Sequence, residues 1–357
     1  MTGSLRNDLS KSFLRRLFGR LWTRPASDFG PRRGRQTHVI ILDGTMSSIE
    51  DGRETNAGLT YKLVREIGSE VSIYYEPGLQ WQTWIDVSGV LAGKGINRQI
   101  RRTYGYLASR YHEGDRIFLF GYSRGAYAVR SLAGLIERVG LLRADQATER
   151  NVRDAFRHYQ AREPSAASAR FSEKYCRSGV EIEMIGAWDT VKSLGINAPV
   201  LWRLSTAHHS FHDHHLSENV KRACHALALN ETRVVYRPVL WETDATTLDR
   251  TEQVWFRGSH GDIGGQLGGR EYARPLSNIP LVYMLERAQD AGLPLPDGWQ
   301  SRFPQDPHAR SIGTWAGWGR LFVTRRRRVV GRDPSERLHY TVGVTSSHLP
   351  QLVRVGP

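Results

Sequence analysis

Residues 116–139, RIFLFGYSRGAYAVRSLAGLIERV, constrain the fold more than any other stretch of the chain. An apolar run, Ile117 to Phe120, follows the turn-like HEGDR. It passes through Gly121-Tyr122-Ser123-Arg124-Gly125 and continues as a helix opened by the small residues Ala126 and Ala128. A strand that turns sharply into a helix is the repeating unit of a parallel α/β sheet.

The flanking sequence repeats that unit. HVIILDG (38–44) is an apolar run closed by Asp-Gly, TNAGLTYKLVREIG has helical character, and VSIYYEPG (71–78) is a β-branched and aromatic run stopped by Pro-Gly. Ile96, Ile100, Tyr104, Leu107 and Tyr111 space themselves as one face of a helix leading into the strand at 116–121. Two further strands are expected in VEIEMIGAWDTV (180–191) and EQVWFRG (252–258), with NIPLVYMLERAQDAG (278–292) a helix behind the second. The expected class is α/β: a mostly parallel, α/β-hydrolase-like sheet with helices on both faces. Residues 195–218, irregular and rich in histidine, read as a lid or cap insertion. The catalytic domain is expected over 37–345, after a basic helix and linker at 1–36 and before a tail at 346–357. With 357 residues, 39% hydrophobic and 24% charged, the chain is long enough for a sizeable core and has a soluble globular balance.

The net charge of +14 is unevenly spread, since residues 1–36 hold nine Arg and Lys against two Asp. Within 9–22, Leu9, Phe13, Leu14, Leu17, Phe18, Leu21 and Trp22 recur at helical spacing, with Lys11, Arg15, Arg16 and Arg20 mostly on the other face. Such a helix packs on a protein surface or lies on an anionic membrane. RPASDFGPRRGRQ after it reads as a linker. A second basic block, Arg325 to Arg328, has the composition that attracts phosphate. No apolar run approaches the roughly 20 residues of a membrane span, and arginines interrupt any signal-peptide core. Two distant cysteines, Cys176 and Cys224, suggest neither a disulfide framework nor a zinc site, so a reducing, cytoplasmic setting is expected, with peripheral membrane contact through residues 9–22. HHSFHDHH in the lid reads as a solvated polar loop in preference to a metal site. No metal or organic cofactor is implied.

Ser123 sits where a nucleophile belongs in the α/β-hydrolase arrangement, on a strand-to-helix turn with glycine on both sides. Its hydroxyl needs a base, and the base needs an acceptor, in chain order Ser, Asp or Glu, His. Asp189, at the end of the strand in 180–191, suits the acceptor. His260, in the Gly-rich WFRGSHGDIGG, suits the base and is expected in a loop; Asp262, only two residues away, is the poorer acid. The two oxyanion donors are expected from the amide of Arg124 and from Gly44 or Thr45 in ILDGT, with Asp43 as structural support for that loop.

The ordered blocks LDGT, TNAGLTYKL, YYEPG, GYSRGAYAVRSLAG, GAWDTVKSLG, CHALALNETR, WFRGSHGDIGG and PLVYMLERA resemble the α/β-hydrolase family that includes type VI secretion phospholipase effectors. The match spans roughly residues 36–345. It implies a Ser123-Asp189-His260 triad and lipid ester hydrolysis. Asn230 stands where an acidic residue is usual, and Gly261 where serine is frequent. The leading expectation is therefore a serine ester hydrolase acting on phospholipid or another acyl ester. The other readings are a non-catalytic hydrolase-fold binding protein and a soluble esterase or peptidase on the same scaffold. Nucleic acid is the weaker partner, because no aromatic-plus-basic RNA-binding motif accompanies the basic ends.

Overall fold

The computed structural model describes residues 34–78, 94–161, 165–191, 215–315, 323–344 and 354–355. The expected amphipathic helix at 9–22 and all but the last four residues of the expected lid lie outside them. The chain divides between Arg35 and Gln36, and every element below belongs to the second unit.

The order is β1 (Thr37–Leu42), α1 (Asn56–Arg65), β2 (Val71–Glu76), α2 (Lys94–Arg110), β3 (Arg116–Tyr122), α3 (Arg124–Val139), β4 (Leu141–Leu142), α4 (Glu149–Gln160), α5 (Ala166–Tyr175), β5 (Cys176–Arg177), β6 (Met184–Trp188), β7 (Ala223–Ala228), β8 (Thr251–Phe256), α6 (His260–Gly264), α7 (Arg274–Asp290), β9 (Glu336–His339) and β10 (Arg354–Val355). Among the described residues, eight strands form one sheet in the order β10-β9-β8-β7-β6-β3-β1-β2, and each pairing in it is parallel. The short β4 and β5 pair antiparallel apart from it.

The strands are apolar on both faces because both are covered. From β1 and β3, Ile40, Leu42, Ile117 and Leu119 enter a core with Ile96, Ile100, Tyr104 and Leu107 of α2 and the apolar face of α3. Their alternates, Val39, Ile41, Phe118 and Phe120, face α1 and α7. Polar side chains close the helix starts, as where Thr55 accepts from Gly58 N–H and Thr148 from Asn151 N–H.

The chain runs from β1 outward to β2, then returns to place β3 on the other side of β1. The loops leaving the carboxyl ends of β1 and β3 therefore diverge at a topological switch point, where open α/β sheets form their binding crevice.

Candidate active site

Ser123 occupies the turn between β3 and α3 with φ +58° and ψ −118°, a conformation costly for a residue with a side chain. The neighbouring glycines are required by close approach. A Cβ on Gly125 would stand 1.9 Å from the Leu42 carbonyl oxygen, and one on Gly121 would stand 2.6 Å from the Ala126 backbone. The turn is held by Ser123 N–H donating to Trp188 O (2.9 Å).

Asp189 follows the neighbouring strand β6, also at positive φ (+42°). His260 follows β8, and here the structure corrects the sequence reading: it is the first residue of a short helix, α6, and not part of a loop. The helix forms because Ser259 and Asp262 make a reciprocal capping box. The three side chains meet, with His260 Nε2 2.9 Å from Ser123 Oγ and His260 Nδ1 2.6 Å from Asp189 Oδ2. All three are buried, with Asp189 wholly inaccessible. An ionised carboxylate can only accept, so the neutral imidazole carries its proton on Nδ1 and turns the Nε2 lone pair toward the serine.

Asp262 has other work. Its carboxylate accepts from Ser259 N–H and Oγ, Ser311 Oγ and Ile312 N–H, and holds the loop rather than the imidazole ring. The two departures from the family pattern also have local reasons. Asn230 Oδ1 accepts from Gly258 N–H (2.8 Å), while the adjacent Glu231 accepts from His260 N–H (3.1 Å). A Cβ on Gly261 would stand 2.9 Å from the Gln266 carbonyl oxygen and closer still to Ile312.

Three residues around the imidazole escaped the sequence reading. Arg328 grips Asp189 with both guanidinium nitrogens, Nη2 to Oδ2 at 2.9 Å and Nη1 to Oδ1. It also donates to the carbonyls of Ala228 and Tyr236. Burial pushes the Asp189 carboxyl up, but the Arg328 charge and the hydrogen bonds from His260 and Arg328 outweigh it and hold the group well below the usual carboxylate range. The basic block thus divides: Arg328 is buried structure and Arg325 is half-buried against Trp315, which leaves Arg326 and Arg327 exposed. Tyr236 stacks on His260 with ring centroids 4.5 Å apart, and Glu231 is paired with Arg233. The NETR block was the available signal for Glu231. A long-range partner such as Arg328 leaves no local one.

The loop after β1 lies beside the serine, since a Cβ on Gly44 would stand 3.4 Å from Ser123 Cβ. The Gly44 N–H, however, donates to Asp43 Oδ1 (2.6 Å), which removes Gly44 from the two expected donors and leaves Thr45. The Arg124 N–H opens α3, where a helix leaves its amides without internal partners. Asp43 also accepts from Thr55 Oγ1 (2.5 Å) and Tyr75 OH (2.8 Å). Burial nonetheless raises its carboxyl from 3.8 to about 6. The folded state therefore holds this proton more tightly than the unfolded chain. The group's contribution to stability is complete below about pH 4 and is lost as pH rises through about 6, on the order of 3 kcal/mol. Asp43→Asn has no such titration. Its melting temperature, measured by calorimetry against the wild type, should gain steadily from pH 4 to 7; a constant difference would contradict this reading.

A wound parallel sheet with Ser, Asp and His gathered at the carboxyl ends of β3, β6 and β8 defines the α/β-hydrolase class. Residues 36–287 match the family model T6SS, phospholipase effector Tle1-like, catalytic domain, and the chain belongs to that family of hydrolases. A curated relative, an uncharacterized protein of Saccharomyces cerevisiae, is 30% identical over 185 residues, 44% of this chain and 27% of its own length. The chain thus spans about a quarter of that relative. Among solved structures, an uncharacterized protein from Pseudomonas aeruginosa aligns at 16% identity and TM-score 0.46, covering 85% of this chain and 53% of the other. The Tle1 effector bound to the VgrG spike of the type 6 secretion system aligns at 16% identity and TM-score 0.38, covering 74% and 55%.

Proposed function

We propose that the protein hydrolyses a carboxylic ester of a phospholipid through Ser123, His260 and Asp189. The observation that carries this reading is the continuous buried relay from Ser123 Oγ through both imidazole nitrogens to an ionised carboxylate. His260 Nε2 takes the hydroxyl proton as Ser123 Oγ attacks the ester carbonyl. The oxyanion so formed accepts from the amides of Arg124 and Thr45. As the tetrahedral adduct collapses, the ester C–O bond breaks and His260 returns its proton to the departing lysophospholipid alcohol. That leaves an acyl-enzyme. Water, deprotonated by His260, then attacks the acyl carbon and releases the fatty acid with Ser123 restored. Asp189 stays ionised throughout, fixing the ring and stabilising the imidazolium, while Arg328 keeps Asp189 ionised and in place.

The direct test is incubation with phosphatidylglycerol vesicles and mass-spectrometric analysis of the lipids. Equal amounts of fatty acid and lysolipid support the reading; loss of the headgroup with both acyl chains retained would overturn it.

Membrane delivery belongs to the same proposal and rests on the pattern of residues 9–22. The apolar stripe can enter the headgroup boundary, and each of the four basic residues adds about 1 kcal/mol near an anionic surface, less at high salt. A chain starting at Arg35 should cease to sediment with anionic liposomes and keep its turnover of a soluble short-chain ester. Undiminished sedimentation would make the segment a packing element.

A further inference from the structure

The segment after Thr324 folds back over the Asp189 side of the site and leaves a cleft of about 110 Å³ between it and residues 231–240. The cleft is too small for a whole ligand, since small-molecule pockets run from about 300 Å³ upward. Two of its arginines are spent, Arg233 on Glu231 and Arg328 on Asp189. Four more line it, Arg237, Arg326, Arg327 and Arg332, all exposed and, among the described residues, none with a carboxylate partner. Gathering four guanidinium groups without carboxylate partners around one cleft is electrostatically unfavourable in isolation, and the concavity concentrates their field. A dianionic or monoanionic phosphate relieves that repulsion, and the planar fork of a guanidinium matches its oxygens.

The remaining lining distinguishes among phosphate sources. Val234 and Val329, 37% and 48% exposed, stand beside the arginines, and among the described residues no aromatic ring lines the cleft to stack a nucleobase. Cationic groups flanked by exposed aliphatic side chains suit the boundary between a headgroup and its acyl chains. The cleft also shares walls with the site, because Arg328 holds Asp189 and Glu231 holds the His260 amide.

We propose that this cleft is the phosphate subsite for the substrate headgroup. It favours phospholipids with anionic headgroups over choline lipids, whose fixed cation the arginines repel. The inference rests on the phospholipase reading above.

The test uses the full chain and a variant carrying Arg237→Ser, Arg326→Ser, Arg327→Ser and Arg332→Ser, none of which belongs to the reacting groups. Dihexanoyl lipids, kept monomeric, separate headgroup recognition from membrane recruitment. Wild-type kcat/KM should be at least tenfold higher on the phosphatidylglycerol than on the phosphatidylcholine. The variant should lose that preference through KM and hydrolyse p-nitrophenyl butyrate unchanged. Glycerol 1-phosphate should inhibit the wild type competitively and the variant little. An unchanged lipid preference in the variant overturns the proposal. So does glycerol phosphate binding without any effect on lipid preference, which would mark a site for soluble phosphate. A short oligonucleotide that binds through these arginines while lipid preference stays put would likewise overturn it. If the wild type hydrolyses no ester at all, the phospholipase reading fails by itself. Calorimetric titration of glycerol 1-phosphate into both proteins then decides for the cleft: binding to the wild type alone upholds a phosphate site, and equal heats reject it.

Discussion

Ser123→Ala should lower kcat on phospholipid and on a soluble ester by about 10⁴ to 10⁶, since members of a Ser-His-Asp relay act as a unit and losing the nucleophile leaves only oxyanion stabilisation and binding. The fold should hardly register the change. Among the described residues the hydroxyl makes one side-chain hydrogen bond, to His260; the backbone at φ +58° is braced by the Ser123 N–H to Trp188 bond and by two close-packed glycines, and alanine keeps both braces. A melting temperature within a few degrees of the wild type, alongside the collapse in turnover, would separate chemistry from folding. Residual turnover above about one per cent would mean another residue attacks the ester.

Arg328→Met should damage stability and catalysis together, and the two effects can be told apart. The substitution leaves Asp189 buried without its cation, which in comparable buried pairs costs about 3–5 kcal/mol. It also removes the charge that does most to hold the Asp189 carboxyl below the usual carboxylate range, so Asp189 takes up its proton at higher pH and the acid limb of the kcat/KM profile should move up with it. Arg328→Lys restores charge without the two-pronged grip and should recover the position of that limb better than it recovers kcat. A merely structural arginine would leave the limb where it was and show only the loss in melting temperature.

Much of this site is written in short segments of sequence, because the groups proposed to carry the chemistry stand at the ends of strands. Ser123 announces itself by an apolar strand, two glycines and a helix; Asp189 ends the next buried run; His260 follows the last run before a helix. Ile96, Ile100, Tyr104, Leu107 and Tyr111, spaced as a helix face, are buried together in one core. Two kinds of information were out of reach. Local hydrogen bonding decides that Gly44 spends its amide on Asp43 and that Ser259 with Asp262 turns a Gly-rich stretch into a helix beginning at His260. Long-range contact decides the fate of Arg328, which lies 139 residues from Asp189 and is indistinguishable by composition from Arg326 and Arg327. A run of four arginines reads as one phosphate-attracting block, yet the fold buries the side chain of its last member against the carboxylate and leaves the middle two at the surface.

The central claim is that Ser123 is the reacting nucleophile, and the most direct measurement is intact-protein mass spectrometry after exposure to a fluorophosphonate, followed by peptide mapping. One phosphonyl adduct is expected on the wild type, located in the tryptic peptide of residues 117–124, with none on Ser123→Ala and none on wild type denatured beforehand. An unlabelled wild type that is folded, or an adduct that persists in Ser123→Ala, would contradict the account.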